Sequence, residues 1–391
     1  MKPCSDHYTI SSLRNTCQKV IPNFSFAYLE SGTDKENLLV KNNRQFDSIS
    51  FIPKFCLGQK KVPNLKCNFL DETYSLPFGI APVGLTGLIR PNAETYLAHG
   101  AKQNDIPFCL STVSTSTPEA IGGIRNLKSK NKWFQLYFPK DDDILHSLLN
   151  RAESNGFDVL VVTVDIPAPS IREKSKEAGL RMPFKFSKDL IIESIKRPYW
   201  LMDILLYGIP RLKTVEHYTN NNDLKFVSKF VGNRLGGTPD WDRLKQLRAK
   251  WSKKIILKGI LHPDDARKAK ELGFDAIYVS NHGGRQFDGG VPPLTQLRSI
   301  RNLIGWDFPI IFDSGVRSGL DILKAIYYGA DLVFLGRPFM YGVGAFKQRG
   351  VNRVIEILTD QLSNNMMQLG LESLEEIRDI SCDQIIVNEI D

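Results

Sequence analysis

What the chain lacks narrows it first. No stretch of 18 apolar residues occurs in its 391 positions, so no helix is expected to cross a membrane. The nearest approach, YWLMDILLYGI at 199–209, is short and is broken by Asp203. The opening MKPCSDHYTISSLRN has no apolar core of the kind a secretory signal needs, so none is expected. Cysteine is sparse. Cys4, Cys17, Cys56, Cys67, Cys109 and Cys382 form no CxxC pair, and none stands at metal-ligand spacing with a histidine. No metal and no disulfide framework is expected, and a reducing cytosol is the simplest compartment. Charge is not concentrated either. The net charge of +8 can suit nucleic acid or an anionic membrane surface, yet the basic residues form no run and no zinc or RNA-binding motif appears. A nucleic-acid role is therefore disfavoured, and the scattered charges read as solvated surface.

What is present is a repetition of type. Apolar or β-branched runs recur as FGIAPV (78–83), PFCLST (107–112), WFQLYF (133–138), VLVVTVD (159–165), KIILKG (254–259), AIYVSN (276–281), PIIFDSG (309–315) and LVFLGR (332–337). Each ends in small or polar residues, as strands buried on both faces do. Helical segments separate most of them. HPDDARKAKELGF (262–274) has a proline in its first turn, acids early, bases late and a closing glycine, and RSGLDILKAIYYGA (317–330) also ends at a glycine. Eight strand–helix repeats predict an α/β fold, a (β/α)8 TIM barrel, with a doubly wound open sheet as the alternative. Residues 1–391 read as one domain. A 1–75 extension carries helices at 9–20 and near 24–31, and ISFIPKFC with VPNLKCNFL is expected to form a hairpin closing the barrel bottom. About 90 residues separate the fourth strand from the fifth, which marks an insertion at 173–245.

The carboxyl ends of parallel barrel strands build the active site. Nearly every strand delivers a polar or open-backbone group to that rim: Pro82-Val83-Gly84, Ser111, Gln135 and Tyr137, Thr163 and Asp165, Lys258, Ser280 and His282, then Asp313, Gly315 and Arg317, and Gly336-Arg337. Taken singly, each has an ordinary structural explanation, since hydroxyls bond nearby backbone and lone arginines are solvated. Their shared location favours function. Glycines and arginines after strands seven and eight suit a phosphate. Amide and hydroxyl groups on strands two to four suit the edge of a planar heterocycle, and Lys258 favours negative charge on such a ring. Together they indicate FMN across the barrel mouth. Histidine is the usual general base at neutral pH, a carboxylate such as Asp165 orients it, and two arginines, Arg172 and Arg285, can clamp one carboxylate. Glycines 283 and 284 let His282 and Arg285 project together. That set fits two-electron oxidation of a small 2-hydroxy acid.

SNHGGRQFD, FQLY, TVD, LKGI, DSGVRSGLD and LGRP resemble, over nearly the whole chain, the FMN-dependent 2-hydroxy acid dehydrogenase and oxidase family. The resemblance implies a catalytic base at His282 supported by Asp165, and substrate-carboxylate binding by Arg172, Arg285 and Tyr28. It implies that Tyr137 bonds the reacting oxygen and that Lys258 sits at the flavin N1/O2 edge. The cofactor would be held by Pro82, Val83, Gly84, Ser111, Gln135, Thr163, Ser280, Asp313, Gly315, Arg317, Gly336 and Arg337, and the chain would be a homo-oligomer, a tetramer by resemblance. Ser175 stands where the family often has an acidic residue, which reads as loop variation. Val113 replaces the bulky aromatic of glycolate oxidases, as in bacterial lactate dehydrogenases, while DSG and Gly84 also resemble mandelate dehydrogenase.

Within the insertion, residues 185–213 hold six Lys/Arg against three Asp/Glu, interleaved with LII, YW and ILLY. Such a segment fits a monotopic element at the bilayer interface, and a lid over the barrel mouth is the alternative. The resemblance favours the membrane, because membrane-bound relatives carry a similar insertion. The expectation is therefore L-lactate oxidation to pyruvate at the cytoplasmic face of the inner membrane, with quinone as acceptor. A soluble glycolate-type oxidase using oxygen, a mandelate dehydrogenase, and a flavin-holding barrel without turnover are the competing readings. His282 can take the Cα proton to leave a carbanion, or the hydroxyl proton while the Cα hydrogen departs with its electron pair; both routes use the same residues.

Overall fold

The computed structural model describes residues 2–58, 61–180, 188–219, 224–235, 239–380 and 384–387. Residues 185–187 of the expected membrane segment, and Cys382, lie outside them. The eight apolar runs form eight parallel strands: β1 Phe78–Ile80, β2 Phe108–Ser111, β3 Lys132–Tyr137, β4 Val159–Thr163, β5 Lys254–Ile260, β6 Ala276–Val279, β7 Ile310–Phe312 and β8 Leu332–Leu335. They pair in sequence order, and β8 pairs back onto β1, which closes the barrel and rules out the open sheet. The physical reason for the unbroken apolar runs is visible in burial. Every residue of β4, β6, β7 and β8 is buried, one face against the lumen and the other against the surrounding helices. The predicted helices appear as Pro263–Glu271 and Gly319–Tyr327, the second opened by a capping box between Ser318 and Asp321.

The lumen is packed with aromatic rings. Trp133 lies 5.1 Å from Phe334, and Tyr278 lies 5.5 Å from Phe334. Phe69 stacks on Trp133 at 5.9 Å from below. The hairpin expected there is corrected by the pairing. Cys67–Phe69 pairs with its neighbour Glu72–Tyr74, and this hairpin plugs the bottom. Ile49–Phe51 pairs instead with Ile385–Val387 from the C-terminal tail. Strands of three residues carry no periodicity, so their partners follow from tertiary packing alone.

The N-terminal extension positions part of the site. Helix α1 (Ile10–Val20) buries Ile10, Leu13, Cys17 and Val20, a helical stripe, and packs on the long helix Arg337–Gln368. Helix α2 (Asn23–Glu30) carries Tyr28 to the barrel mouth, where its hydroxyl donates to the Gly84 carbonyl at 3.0 Å. Among the described residues, Cys4, Cys17, Cys56, Cys67 and Cys109 are free thiols.

The insertion contains helices Lys188–Ile195, Pro198–Tyr207, Lys213–Glu216 and Leu224–Arg234. Helix Pro198–Tyr207 docks through Trp200, whose indole N–H donates to the Leu88 carbonyl at 3.1 Å. It also docks through Asp203. This residue does not interrupt an exposed apolar face: it turns inward, 4% exposed, between Arg90 at 2.6 Å and Lys347 at 2.7 Å. Its charge is neutralised inside, as burial requires. Leu205, Leu206, Tyr199, Met202 and Tyr207 are left facing outward. No helix among the described residues is long and apolar enough to cross a membrane.

Candidate active site

A cavity of about 280 Å³ opens at the carboxyl ends of the strands. At its centre lies the stretch that follows β6. His282 adopts a left-handed conformation (φ 59°), and so do Gly283 and Gly284 after it (φ 67° and 72°). A left-handed histidine costs about 1 kcal/mol or more. The turn is held by Ser280 Oγ, which accepts from the His282 amide at 3.0 Å, and by Ser314 Oγ, which accepts from the Gly283 amide at 3.0 Å. A Cβ at Gly284 would come within 3.0 Å of the Leu39 amide, so glycine also admits helix Asn37–Arg44 against the loop.

His282 Nδ1 lies 3.1 and 3.2 Å from the two oxygens of Asp165, just beyond β4. A carboxylate only accepts, so Nδ1 carries the proton and Nε2 holds the lone pair. Asp165 is clamped from behind. Strand β5 slips register between Lys258 and Ile260, and at the slip Gly259 (φ +103°) leaves a space in which a Cβ would sit 2.5 Å from Asp165 Cβ. Burial holds the His282 pKa below its ordinary value; Asp165 pulls the other way, while Lys258 and Arg172 add to the lowering. Burial works to raise Asp165, but His282 and then Lys258 outweigh it and keep the carboxyl below its usual range. Tyr137 is pushed up by burial and then by Asp165, so its hydroxyl stays protonated and able to donate.

The cavity has more cations than anions. Arg172, Arg285, Arg317, Arg337 and Lys258 line it, against Asp313. Burial, then Arg172 and Arg337, hold the Arg285 pKa well below its ordinary value; burial, then Arg317, bring Arg337 to about 10. Among the described residues neither Arg172 nor Arg285 meets a carboxylate. Arg285 Nη1 instead donates to the carbonyls of Tyr28 and Ser31 at 3.0 and 2.9 Å, and Arg172 Nε is buried without a partner. Crowded, unneutralised guanidiniums fit anionic ligands: a phosphate near Arg317 and Arg337, and a carboxylate near Arg172 and Arg285. The residues present therefore fit FMN together with a small acid.

Of the residues expected from sequence to hold the cofactor, Pro82, Val83, Gly84, Lys258, Asp313, Gly315, Arg317, Gly336 and Arg337 line the cavity, as do Tyr28, Tyr137, Arg172, His282 and Arg285. Ser111, Gln135, Thr163 and Ser280 do not line it. They form a buried ladder across neighbouring strands: Ser111 Oγ donates to Gln135 Oε1 at 2.9 Å, Gln135 Nε2 to Thr163 Oγ1 at 2.9 Å, and Lys258 Nζ to Ser280 Oγ at 2.9 Å. Lys258 also lies 3.6 Å from Asp313. Ser175 is buried and shares a 2.7 Å hydrogen bond with Ser31. Sequence reading missed the aliphatic part of the cavity lining, Leu85, Leu212 and Val231, which joins Val113. Leu212 and Val231 belong to the insertion, and in sequence they are indistinguishable from ordinary helix core.

Known proteins resemble this chain over most of its length. Residues 17–384 match the family model described as FMN-dependent dehydrogenase. L-lactate dehydrogenase of Pseudomonas aeruginosa is 33% identical over 366 residues, covering 93% of this chain and 95% of its own. L-lactate dehydrogenase of Pseudomonas putida is 34% identical over 369 residues, covering 93% and 95%. The crystal structure of the monotopic membrane protein (S)-mandelate dehydrogenase superposes with a TM-score of 0.91 at 29% identity, covering 98% of this chain and all of that one.

Proposed function

The chain belongs to the FMN-dependent dehydrogenase family and is an FMN-dependent 2-hydroxy acid dehydrogenase or oxidase, and from that premise we propose that it oxidises L-lactate to pyruvate and passes the electrons to a membrane quinone. The observation that carries the chemistry is the His282–Asp165 pair facing two guanidiniums that lack carboxylate partners. Arg172 and Arg285 bind the acid's carboxylate, with Tyr28 between them, its ring 6.0 and 5.2 Å from the two guanidinium carbons. Tyr137 donates to the hydroxyl oxygen that becomes the ketone. His282 Nε2 takes a proton from the bound acid, and Asp165 stabilises the imidazolium that forms. FMN, when bound, accepts the two electrons that the acid loses. Lys258, which lines the same cavity, would supply positive charge to the flavin's N1/O2 edge.

Lactate rather than a larger acid is supported by the named relatives and by the aliphatic wall of Leu85, Val113, Leu212 and Val231. Quinone rather than oxygen is supported by the outward apolar face of helix Pro198–Tyr207, continued by Ile191, Ile192 and Ile195 and flanked by Lys196, Arg197, Arg211 and Lys213. Apolar side chains rimmed by cations suit an anionic leaflet such as the cytoplasmic face of the inner membrane.

Anaerobic addition of L-lactate to the yellow protein in mild detergent is expected to bleach the flavin absorbance rapidly, with recovery on adding quinone. Bleaching by mandelate or glycolate but not by lactate would keep the chemistry and replace the substrate. Prompt recovery in air with release of peroxide would replace quinone by oxygen.

The base also sets a pH dependence. Proton removal requires neutral His282, whose pKa burial lowers from 6.5. The free protein is therefore competent at neutral pH, and kcat/KM for the acid is expected to fall only as pH drops through that lowered value. An acidic limb lying above 6.5 in the kcat/KM profile would contradict the assignment.

A further inference from the structure

The wall that faces the acid's side chain is built partly by the insertion, and one buried residue fastens that part to the barrel. Leu212, 5% exposed, reaches the cavity two residues before Thr214. Thr214 is fully buried, and its hydroxyl donates to the Ser116 carbonyl at 2.8 Å. Ser114, also fully buried, donates to the same carbonyl at 2.6 Å and lies 3.0 Å from Thr214 Oγ1. Thr214 is held a second time through its backbone, because its carbonyl accepts from Arg151 Nη1 at 2.7 Å. Arg151 is itself fixed by a double ion pair to Glu119, at 2.7 and 3.0 Å.

The barrel side of this clip is rigid. Thr115, between the two serines, is gripped by the buried Glu94, which accepts from its amide at 2.5 Å and from its hydroxyl at 2.8 Å. The Val113 carbonyl accepts from the Leu85 amide at 2.8 Å. Leu85 and Val113 are thus held with the barrel, while Leu212 packs with Val215, Val227 and Leu235 of the insertion, and Thr214, two residues on, ties that part to the barrel. On its other side, the chain from Gly208 to Arg211 leads straight into the exposed apolar helix.

We propose that Thr214 is a positioning residue that sets how far Leu212 reaches into the cavity, and so sets the size of 2-hydroxy acid accepted. This rests on the reading of the cavity as the acid's site. Losing the Thr214 hydroxyl leaves the Ser116 carbonyl with one donor and leaves this turn tied to the barrel at Thr214 by the Arg151 bond alone. Leu212 then withdraws, and longer side chains enter.

The test uses FMN-loaded Thr214→Val, Thr214→Ser and Leu212→Ala proteins. Flavin bleaching is followed with L-lactate, L-2-hydroxybutyrate and L-2-hydroxyhexanoate. Thr214→Val is expected to raise the kcat/KM ratio of the six-carbon acid over lactate by about tenfold, chiefly through KM. Thr214→Ser, which keeps the hydroxyl, should stay within about twofold of the parent ratio. Leu212→Ala should move the ratio the same way as Thr214→Val. An unchanged ratio in Thr214→Val or in Leu212→Ala would overturn the proposal, and so would a serine variant that shifts as far as the valine one. Should Thr214→Val fail to fold, Ser114→Ala loosens the same clip from the barrel side; a parent ratio there would overturn the proposal equally. If no acid bleaches the unaltered protein, the reading of the site falls, and the clip's role in selecting acids falls with it.

Discussion

Replacing His282 with alanine is expected to leave FMN bound and to lower kcat by about 10⁴-fold. The cofactor should stay, because the groups that fit its phosphate and ring edge, Arg317, Arg337 and Lys258, stand on or after other strands. Turnover should collapse, because nothing nearby can serve as a substitute base. Asp313, which lines the cavity, is tied to Lys258 at 3.6 Å and to the Ser314 hydroxyl at 2.8 Å. Asp165 is trapped: it packs into the space left open at Gly259, which holds its carboxylate behind His282. Its protonation changes as well. Burial raises its pKa and His282 is the main force holding it down, so removal of His282 pushes Asp165 toward its neutral, non-basic form. Stability is expected to change little, since alanine at φ 59° meets much the same left-handed strain as histidine. The measurement is the anaerobic rate of flavin bleaching by L-lactate, with bound FMN and thermal midpoint as controls. A bleaching rate within tenfold of the parent would remove His282 from the base role.

That histidine was legible in the sequence because three local signals coincide. An apolar run ends, glycines follow, and an arginine stands three residues on. Asp165 was legible for the same reason, as the polar residue that closes VLVVTVD. Barrel strands buried on both faces write themselves as unbroken apolar runs, so the eight-strand order was readable as well. What was not readable depends on contacts between distant parts of the chain. The partner of Ile49–Phe51 lies more than 300 residues away in the tail. Asp203 looks like an interruption in YWLMDILLYGI, and only Arg90 and Lys347, each more than 100 positions off, turn it inward. Ser111, Gln135, Thr163 and Ser280 were placed at the right strand ends, but sequence could not show that the first three satisfy one another in a ladder while Ser280 accepts from Lys258.

The inward turn of Asp203 gives the second large expected effect. With that charge neutralised against the barrel, the outer face of helix Pro198–Tyr207 presents Leu205 at 77% exposure and Leu206 at 71% with no acid among them. A folded protein gains nothing from two leucines held in water, whereas a bilayer interface rewards them. Changing both to glutamate should abolish their burial in lipid, worth roughly 1.5 kcal/mol each, and add about 1 kcal/mol of repulsion from an anionic leaflet. The sum, about 4 kcal/mol, predicts a fall of about a thousandfold in partition onto vesicles containing phosphatidylglycerol. Both side chains point away from the protein, so the thermal midpoint and the rate of flavin bleaching by a water-soluble acid should be unchanged. Reduction of quinone embedded in those vesicles should fall with the partition, while reduction of a soluble dye should not. Co-sedimentation with vesicles at two salt concentrations separates the contributions, because added salt weakens the attraction of Lys196, Arg197, Arg211 and Lys213 and leaves the leucine contribution intact. Parent protein that fails to sediment, or a double variant that sediments as well as the parent, would make the insertion a lid and put oxygen in place of quinone as acceptor.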